Sequence, residues 1–328
     1  MIISRTPIRI TFLGGGTDYP DYFLRAGGET FGMAIDKYSY VVVNPLPRLS
    51  SHRFQISYQK KEQVDNIDAI EHPSVRECLR HTKSKSGLEI HYTGDLPART
   101  GLGSSSSFTV GLLNALYAYQ GRQVGKGVLA QEACYVEQSL IQERVGCQDQ
   151  YTCSHGGVVQ IHYSTSGSVE LKSLELPPQR LSDLESNLML FYTGLQRHAH
   201  DILKEQLEST SKGDLDEYLH ELKCLASAAV DVVVSERDLD ELGGLMDMGW
   251  NLKTKLSPAI SNNRVEEMYQ KARTAGAIGG KLLGAGGGGF MLFFVPPRRH
   301  QRVSDALNAY QQVKFRCDEQ GSRIIFSG

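Results

Sequence analysis

A chain of 328 residues exceeds the roughly 250–300 at which single cores stop growing, so two domains are expected. Its 40% hydrophobic and 22% charged residues supply a packed core and exclude wholesale disorder. Lys plus Arg number 35 against 37 Asp plus Glu, and that balance excludes a polybasic nucleic-acid or membrane binder.

Residues 2–13 set β-branched and apolar residues against Arg5 and Arg9 and predict a strand. Strands are also predicted at 29–35 and 38–46, then a helix over 65–82 and a short strand at Leu88–Tyr92. Phe108, Leu112, Leu116 and Tyr119 recur at helical spacing and predict a helix over 103–120. A second helix over 127–143 and short strands near 157–163 and 168–173 follow. The segment 174–186 joins Pro177-Pro178 to rising polarity, which divides the chain into domains at 1–180 and 181–328. Beyond it come a strand at Leu188–Tyr192 and helices across 198–256 and 263–275. Strands around 278–283 and 289–295, a helix near 299–311 and a strand at 321–326 complete the chain. Strands and helices mix without regular alternation, so the expected class is α+β.

No apolar run approaches the roughly 18 residues of a membrane span, and the arginines of MIISRTPIRI interrupt what a secretory signal keeps apolar. A cytoplasmic protein is expected, with no nucleic-acid or membrane partner; no oligomeric state is read from the chain. The six cysteines, at 78, 134, 147, 153, 224 and 317, form no CxxC pair and read as buried thiols in a reducing compartment. His198 and His200 lack a third ligand at a sensible spacing and read as helix surface.

The 33 glycines are clustered, and clustered glycine marks backbone in special dihedrals or pressed against a ligand. In the first cluster a strand runs into Gly14-Gly15-Gly16-Thr17-Asp18, which is either a turn with a capping Asp18 or a close approach to a ligand. In the second, Gly101-Leu102-Gly103 leads into Ser104, Ser105, Ser106 and Ser107 at a helix start. Backbone N–H groups there converge on an anion, and four poor helix formers exceed what capping needs. In the third, Gly284-Ala-Gly286-Gly287-Gly288-Gly289 precedes FMLFFV. Its GxGxxG spacing should open a helix in a dinucleotide fold, yet a strand follows, so that reading fails. No GxxxxGK[ST] occurs, so any ATP is held without a P-loop. Glu137 suits a magnesium site, although alone it reads as a solvated helix face. Asp149, between two glutamines, suits the handling of a hydroxyl proton, although alone it reads as a turn residue.

In this order, the segments resemble those of the GHMP small-molecule kinases (galactokinase, homoserine, mevalonate and phosphomevalonate kinases). Pro97-Ala-Arg-Thr-Gly-Leu-Gly-Ser-Ser-Ser106 is similar to the family's phosphate loop, Leu283–Phe290 to its third motif, and Pro7–Tyr19 to the sugar-kinase form of its first. The resemblance implies a first domain like the second domain of ribosomal protein S5 and a ferredoxin-like second domain. ATP and Mg²⁺ are the implied cofactors, with a small sugar or sugar phosphate as partner. By the same resemblance, residues 101–107 cradle the ATP phosphates, and Ser105 and Glu137 hold Mg²⁺. Asp149 and Arg9 are catalytic. Gly15, Gly16, Asp18, Arg197, Lys281, Gly286 and Gly287 bind the substrate.

GGGTDYP, QDQY and Thr193-Gly-Leu-Gln-Arg197 further resemble kinases of D-glycero-D-manno-heptose 7-phosphate, which phosphorylate the anomeric C1 hydroxyl on the route to surface polysaccharide. Galactokinases carry Glu-His where this chain has Gly15 and Gly16, a departure that suits a larger or phosphorylated sugar. Another sugar of the galactose, fucose or mannose type, or a non-catalytic sugar- and ATP-binding regulator, are the other readings.

Overall fold

The computed structural model describes residues 1–47, 49–84, 87–98, 100–195 and 209–328. The first sheet takes β1 (Ile2–Leu13), β2 (Gly28–Pro45), β3 (Phe54–Ser57), β4 (Lys61–Val64), β5 (Leu88–Gly94), β6 (Val158–Tyr163) and β7 (Val169–Ser173). The second takes β8 (Leu188–Tyr192), β9 (Gly279–Leu282), β10 (Phe290–Phe294) and β11 (Gln311–Val313). The last strand, β12 (Arg323–Ser327), returns to the first sheet and pairs antiparallel with β1.

β1 and β2 form the spine. β2 is one long strand where two were predicted. Opposite Pro7 and Ile8 the register jumps from Tyr38 to Ile35, so Asp36 and Lys37 are extra residues, bulged where Pro7 offers no N–H. The bulge lets the two halves of β2 serve different neighbours: residues 28–33 pair with β6, and residues 39–45 pair with β5. Strands β3, β4 and β11 were not foreseen. The predicted helix over 65–82 is a 3₁₀ turn at Ile67–Ala69 and a helix at Pro73–His81, because the residue before a proline resists the helical region.

The second sheet has the order β11-β8-β10-β9, with every neighbouring pair antiparallel. That is the ferredoxin-like arrangement. The fold is therefore two-domain and α+β, as expected. The predicted division at 180/181, however, falls inside the helix Pro178–Ser186, and β12 belongs to the sheet of the first domain. The paired prolines do not open a linker: Pro178 sits at the first helical position, where its missing N–H costs nothing.

One buried cluster joins Phe12 and Phe31 of the first sheet to Phe191, Phe290, Phe293 and Trp250 of the second domain. The approach is close: a side chain at Gly249 would lie 2.3 Å from Leu13. A second cluster lies beneath the helix Ser104–Tyr119 and includes Val41, Ile90, Leu112 and Leu116. The two sheets are thus joined by shared apolar packing rather than a linker. Among the described residues, no helix is long and apolar enough to cross a membrane.

Candidate active site

Asp149 stands in the first turn of the helix Gln148–His155, an end that favours negative charge. Arg9, from β1, grips it with a fork: Nε donates to Oδ1 at 2.7 Å and Nη2 to Oδ2 at 2.8 Å. The remaining Nη1 donates to the Gly101 carbonyl at 2.7 Å, and the Arg9 backbone N–H to that of Leu102 at 3.0 Å. Burial opposes the Arg9 charge, but Asp149 outweighs it and holds the guanidinium above its ordinary range. The Asp149 side chain keeps 22% exposure, so it remains open to a ligand.

The carboxylate lies against the serine-bearing bend. Gly103, at φ 72°, caps the helix Ser104–Tyr119, and a Cβ there would come within 3.1 Å of Asp149 Oδ2 and 3.2 Å of Arg9 Cγ. Only glycine meets both demands. Chain segments about 140 residues apart in sequence thus meet at one helix start.

The four serines divide. Ser105 is exposed and Ser104 half-buried. Ser106 turns inward and donates to Glu137 Oε2 at 2.9 Å. Ser107 is fully buried, its hydroxyl on the Thr6 carbonyl at 3.1 Å and its N–H on the Gly103 carbonyl at 2.9 Å. This corrects the expectation that Ser107 cradles phosphate: both its donors are engaged inside the protein.

Glu137 is buried, at 1% exposure, contrary to a solvated helix face. The predicted helix over 127–143 is α-helical only at Lys126–Tyr135 and widens to a π-turn at Val136–Leu140, a feature that recurs at functional sites. A signal was present: Glu137 follows the buried Ala130, Ala133 and Cys134 at helical spacing. Burial raises its pKa to about 7, resisted by the nearby Thr109 hydroxyl and by hydrogen bonds from Ser106 and Gln150 to Oε2. Its Oε1 is buried without a hydrogen-bond partner among the described residues.

Asp18 is 1% exposed and accepts from the N–H of Gly16 at 3.0 Å and of Gln148 at 3.4 Å. Burial, then the charge of Asp149, raises its pKa. Gly14 and Gly16 have φ of 83° and 104°, as a turn requires. Gly15 does not, and a Cβ there would meet only Gln148 at 3.7 Å and Thr11 at 3.9 Å. Glycine at 15 therefore leaves room rather than relieving strain.

The third glycine segment locks onto the second. A Cβ at Gly284 would fall 2.4 Å from Gly101 Cα, and one at Gly289 would fall 2.2 Å from the Thr100 carbonyl. Gly286 presses on Ile260, the Gly287 N–H donates to the Ile260 carbonyl at 2.9 Å, and Asn262 holds the Gly287 carbonyl at 3.1 Å. With both backbone groups engaged inside the protein, Gly287 is a loop anchor, which corrects its reading as a substrate contact; for Gly286 the structure shows the close approach to Ile260.

Lys281 lies on β9 at 6% exposure, within the electrostatic reach of Arg9 and Asp18. Lys253 was missed. It is buried on the helix Asp240–Leu256 and donates to the carbonyls of Leu282 and Gly284 at 3.2 and 2.5 Å. Its position three and seven residues after Trp250 and Met246 put a charge in an apolar stripe, a legible sign. Arg197, His198 and His200 lie outside the described residues. Two surface recesses, one beside Leu181 and Phe315 and one beside Glu29 and His162, are remote from Asp149 in their lining.

Residues 72–157 match the family described as GHMP kinases N terminal domain, and residues 225–312 match GHMP kinases C terminal. D-glycero-alpha-D-manno-heptose 7-phosphate kinase of Campylobacter jejuni is 28% identical over 324 residues, covering 94% of each chain. A galactokinase of Pyrococcus furiosus is 25% identical, covering 96% of this chain and 94% of its own. The crystal structure of a D-glycero-D-manno-heptose 1-phosphate kinase from Bacteroides thetaiotaomicron superposes with a TM-score of 0.80 at 23% identity, covering all of both chains.

Proposed function

The chain belongs to the GHMP kinases, phosphotransferases with an alcohol group as acceptor, and from that premise we propose that it carries the γ-phosphoryl group of ATP to the anomeric C1 hydroxyl of D-glycero-D-manno-heptose 7-phosphate, giving the 1,7-bisphosphate. The observation that carries this reading is the Arg9–Asp149 fork beside Gly103, at the helix start where the phosphates would sit.

Phosphoryl transfer asks little covalent work of a protein, so positioning and charge neutralisation dominate. The N–H groups at Ser104–Ser106 and the dipole of their helix attract the phosphates. Asp149 receives the hydroxyl hydrogen bond and takes up the proton as the new O–P bond forms. The bond between the γ-phosphorus and its bridging oxygen breaks, and ADP leaves with that electron pair. Arg9 holds the carboxylate in one orientation through its two-pronged fork. Mg²⁺ takes one or two carboxylates plus phosphate oxygens, and the orphaned Glu137 Oε1 with the exposed Ser105 hydroxyl fits that donor set. Held there, it would supply charge neutralisation for the β/γ oxygens.

For the acceptor, Asp18 is assigned to sugar hydroxyls, and the space at Gly15 suits a heptose. Its phosphate needs cations, for which Arg197 and Lys281 are assigned. ADP release measured across galactose, fucose, mannose, mannose 6-phosphate and heptose 7-phosphate tests the reading, with ³¹P NMR of the product locating the new ester. Turnover with the heptose phosphate and a C1 ester is expected. Turnover confined to unphosphorylated hexoses would reject the acceptor. Binding without turnover on any sugar would turn the protein into a regulator. Arg197→Ala is expected to raise KM for the sugar phosphate by about 10–100-fold, the worth of one charge-assisted hydrogen bond, and KM for ATP far less.

A further inference from the structure

Two lysines are buried where the second sheet meets the helix Asp240–Leu256, and one of them has no hydrogen-bond partner among the described residues. Lys281 is 6% exposed, and its Nζ makes no hydrogen bond or ion pair with any described residue. Lys253 is 9% exposed and spends two of its three N–H groups on the carbonyls of Leu282 and Gly284. Leu282 follows Lys281 on β9. Gly279, which shares the Lys281 face of that strand, presses on the backbone of Gly243 and Asp247 in the helix that carries Lys253. Both ammonium groups therefore belong to the seam between β9 and this helix.

Arg9 on β1, Lys253 and Lys281 bring three cations, while Asp18 and Asp149 bring two carboxylates. Arg9 occupies both oxygens of Asp149. Asp18 is bonded to backbone N–H groups of Gly16 and Gln148. Neither carboxylate bonds either lysine, so both ammonium groups are buried without a counter-ion in contact, which is unfavourable unless an anion joins them or a proton leaves.

We propose that Lys281 and Lys253 form a receiver for one phosphate group of a bound ligand. Lys281 supplies its three unengaged N–H groups and Lys253 its third, while the two carbonyl bonds fix Lys253 in place. Without the anion, burial lowers both pKa values, Lys253 to about 8 and Lys281 well below its ordinary value; Arg9 adds to the effect at both, the charge of Lys253 adds to it at Lys281, and Asp18 opposes it. An entering phosphate favours the charged forms, so binding near pH 8 takes up a proton from solvent. The proposal rests on the phosphotransferase reading for the source of the phosphate. That source is either the terminal group of ATP or the acceptor's own ester.

Calorimetric titrations at pH 8.0, in buffers of low and high ionisation enthalpy, count the protons. The probes are MgAMPPNP, heptose 7-phosphate and sulfate, a dianion that does not titrate and presumes nothing about transfer. Uptake of about half a proton or more is expected with one of the two phosphate ligands, and that ligand names the source. Lys281→Met should reduce the uptake to what Lys253 alone supplies and weaken that ligand at least about tenfold, while Lys281→Arg should restore affinity and leave the uptake at that reduced level. Lys253→Met should weaken the same ligand. Because that variant also frees two carbonyls, its thermal midpoint is read in parallel, and Lys281→Met decides the matter if it unfolds. Uptake with sulfate alone would overturn the receiver as a site for a ligand's phosphate, whereas failure of the phosphotransferase reading is read separately, from absent ADP release. No uptake with any probe, or unchanged affinity in Lys281→Met, would overturn the receiver.

Discussion

Replacing Asp149 by Asn is expected to lower kcat by about 10²–10⁴-fold, the range of a positioned proton acceptor, while the Kd for MgAMPPNP changes by less than about threefold. The substitution keeps shape and one acceptor oxygen for Arg9 but removes the charge that Arg9 answers with two hydrogen bonds. Arg9 then keeps its bond to the Gly101 carbonyl, so the phosphate loop retains its tether. Single-turnover rates and nucleotide titration separate the two effects. An unchanged kcat would remove Asp149 from the reaction. A large loss of nucleotide affinity would mean that the carboxylate builds the loop rather than serving the hydroxyl. The Asn variant folds at some cost, because an arginine buried beside it loses its full counter-charge; its melting curve is the control.

Gly284→Ala is expected to lower the thermal midpoint by about 4–10 °C and to cut kcat/KM by more than about tenfold. Two costs combine. The residue has φ 74°, where an L side chain loses about 1–2 kcal/mol. Its Cβ would also fall 2.4 Å from Gly101 Cα, backbone that cannot swing aside, and such overpacking costs about 1–3 kcal/mol. At about 2 °C per kcal/mol for a chain of this size, the sum reaches the stated range. Activity suffers because Gly101 is the residue whose carbonyl Arg9 holds, so displacing it disturbs the Asp149 fork. Gly121→Ala supplies the control. Its φ is 72°, yet a Cβ there meets nothing within 4 Å. Equal losses in the two variants would show that dihedral strain alone is at work and that the loops do not interlock.

Sequence patterning reached far into this fold. Period-two alternation in 2–13 and the 3.6-residue spacing of Phe108, Leu112 and Leu116 are local signals, and both elements form almost to the predicted residue. The elements that went unseen were short or bounded by competing signals. The helix Gln148–His155 has too few residues for a period, and Pro177-Pro178 read as a break when Pro178 starts a helix. β12 could not be assigned to a sheet, because strand pairing across about 320 residues leaves no local trace.

Within the site, residue types and order were determined by the chain alone. Three glycine segments, a serine-bearing helix start and the carboxylates at 137 and 149 pointed to anion binding and a positioned hydroxyl before any fold was known. What only the tertiary structure decided was direction. Ser106 and Ser107 turn inward, Gly287 anchors a loop, and Glu137 leaves its helix face for the core. Lys253 reaches the third glycine segment because its helix packs on β9, and Arg9 meets Asp149 because β1 runs beneath the bend at Gly103. Composition and spacing report what a segment can do; burial, charge pairing and backbone clearance arise between segments, and they exist only once the two sheets share a core.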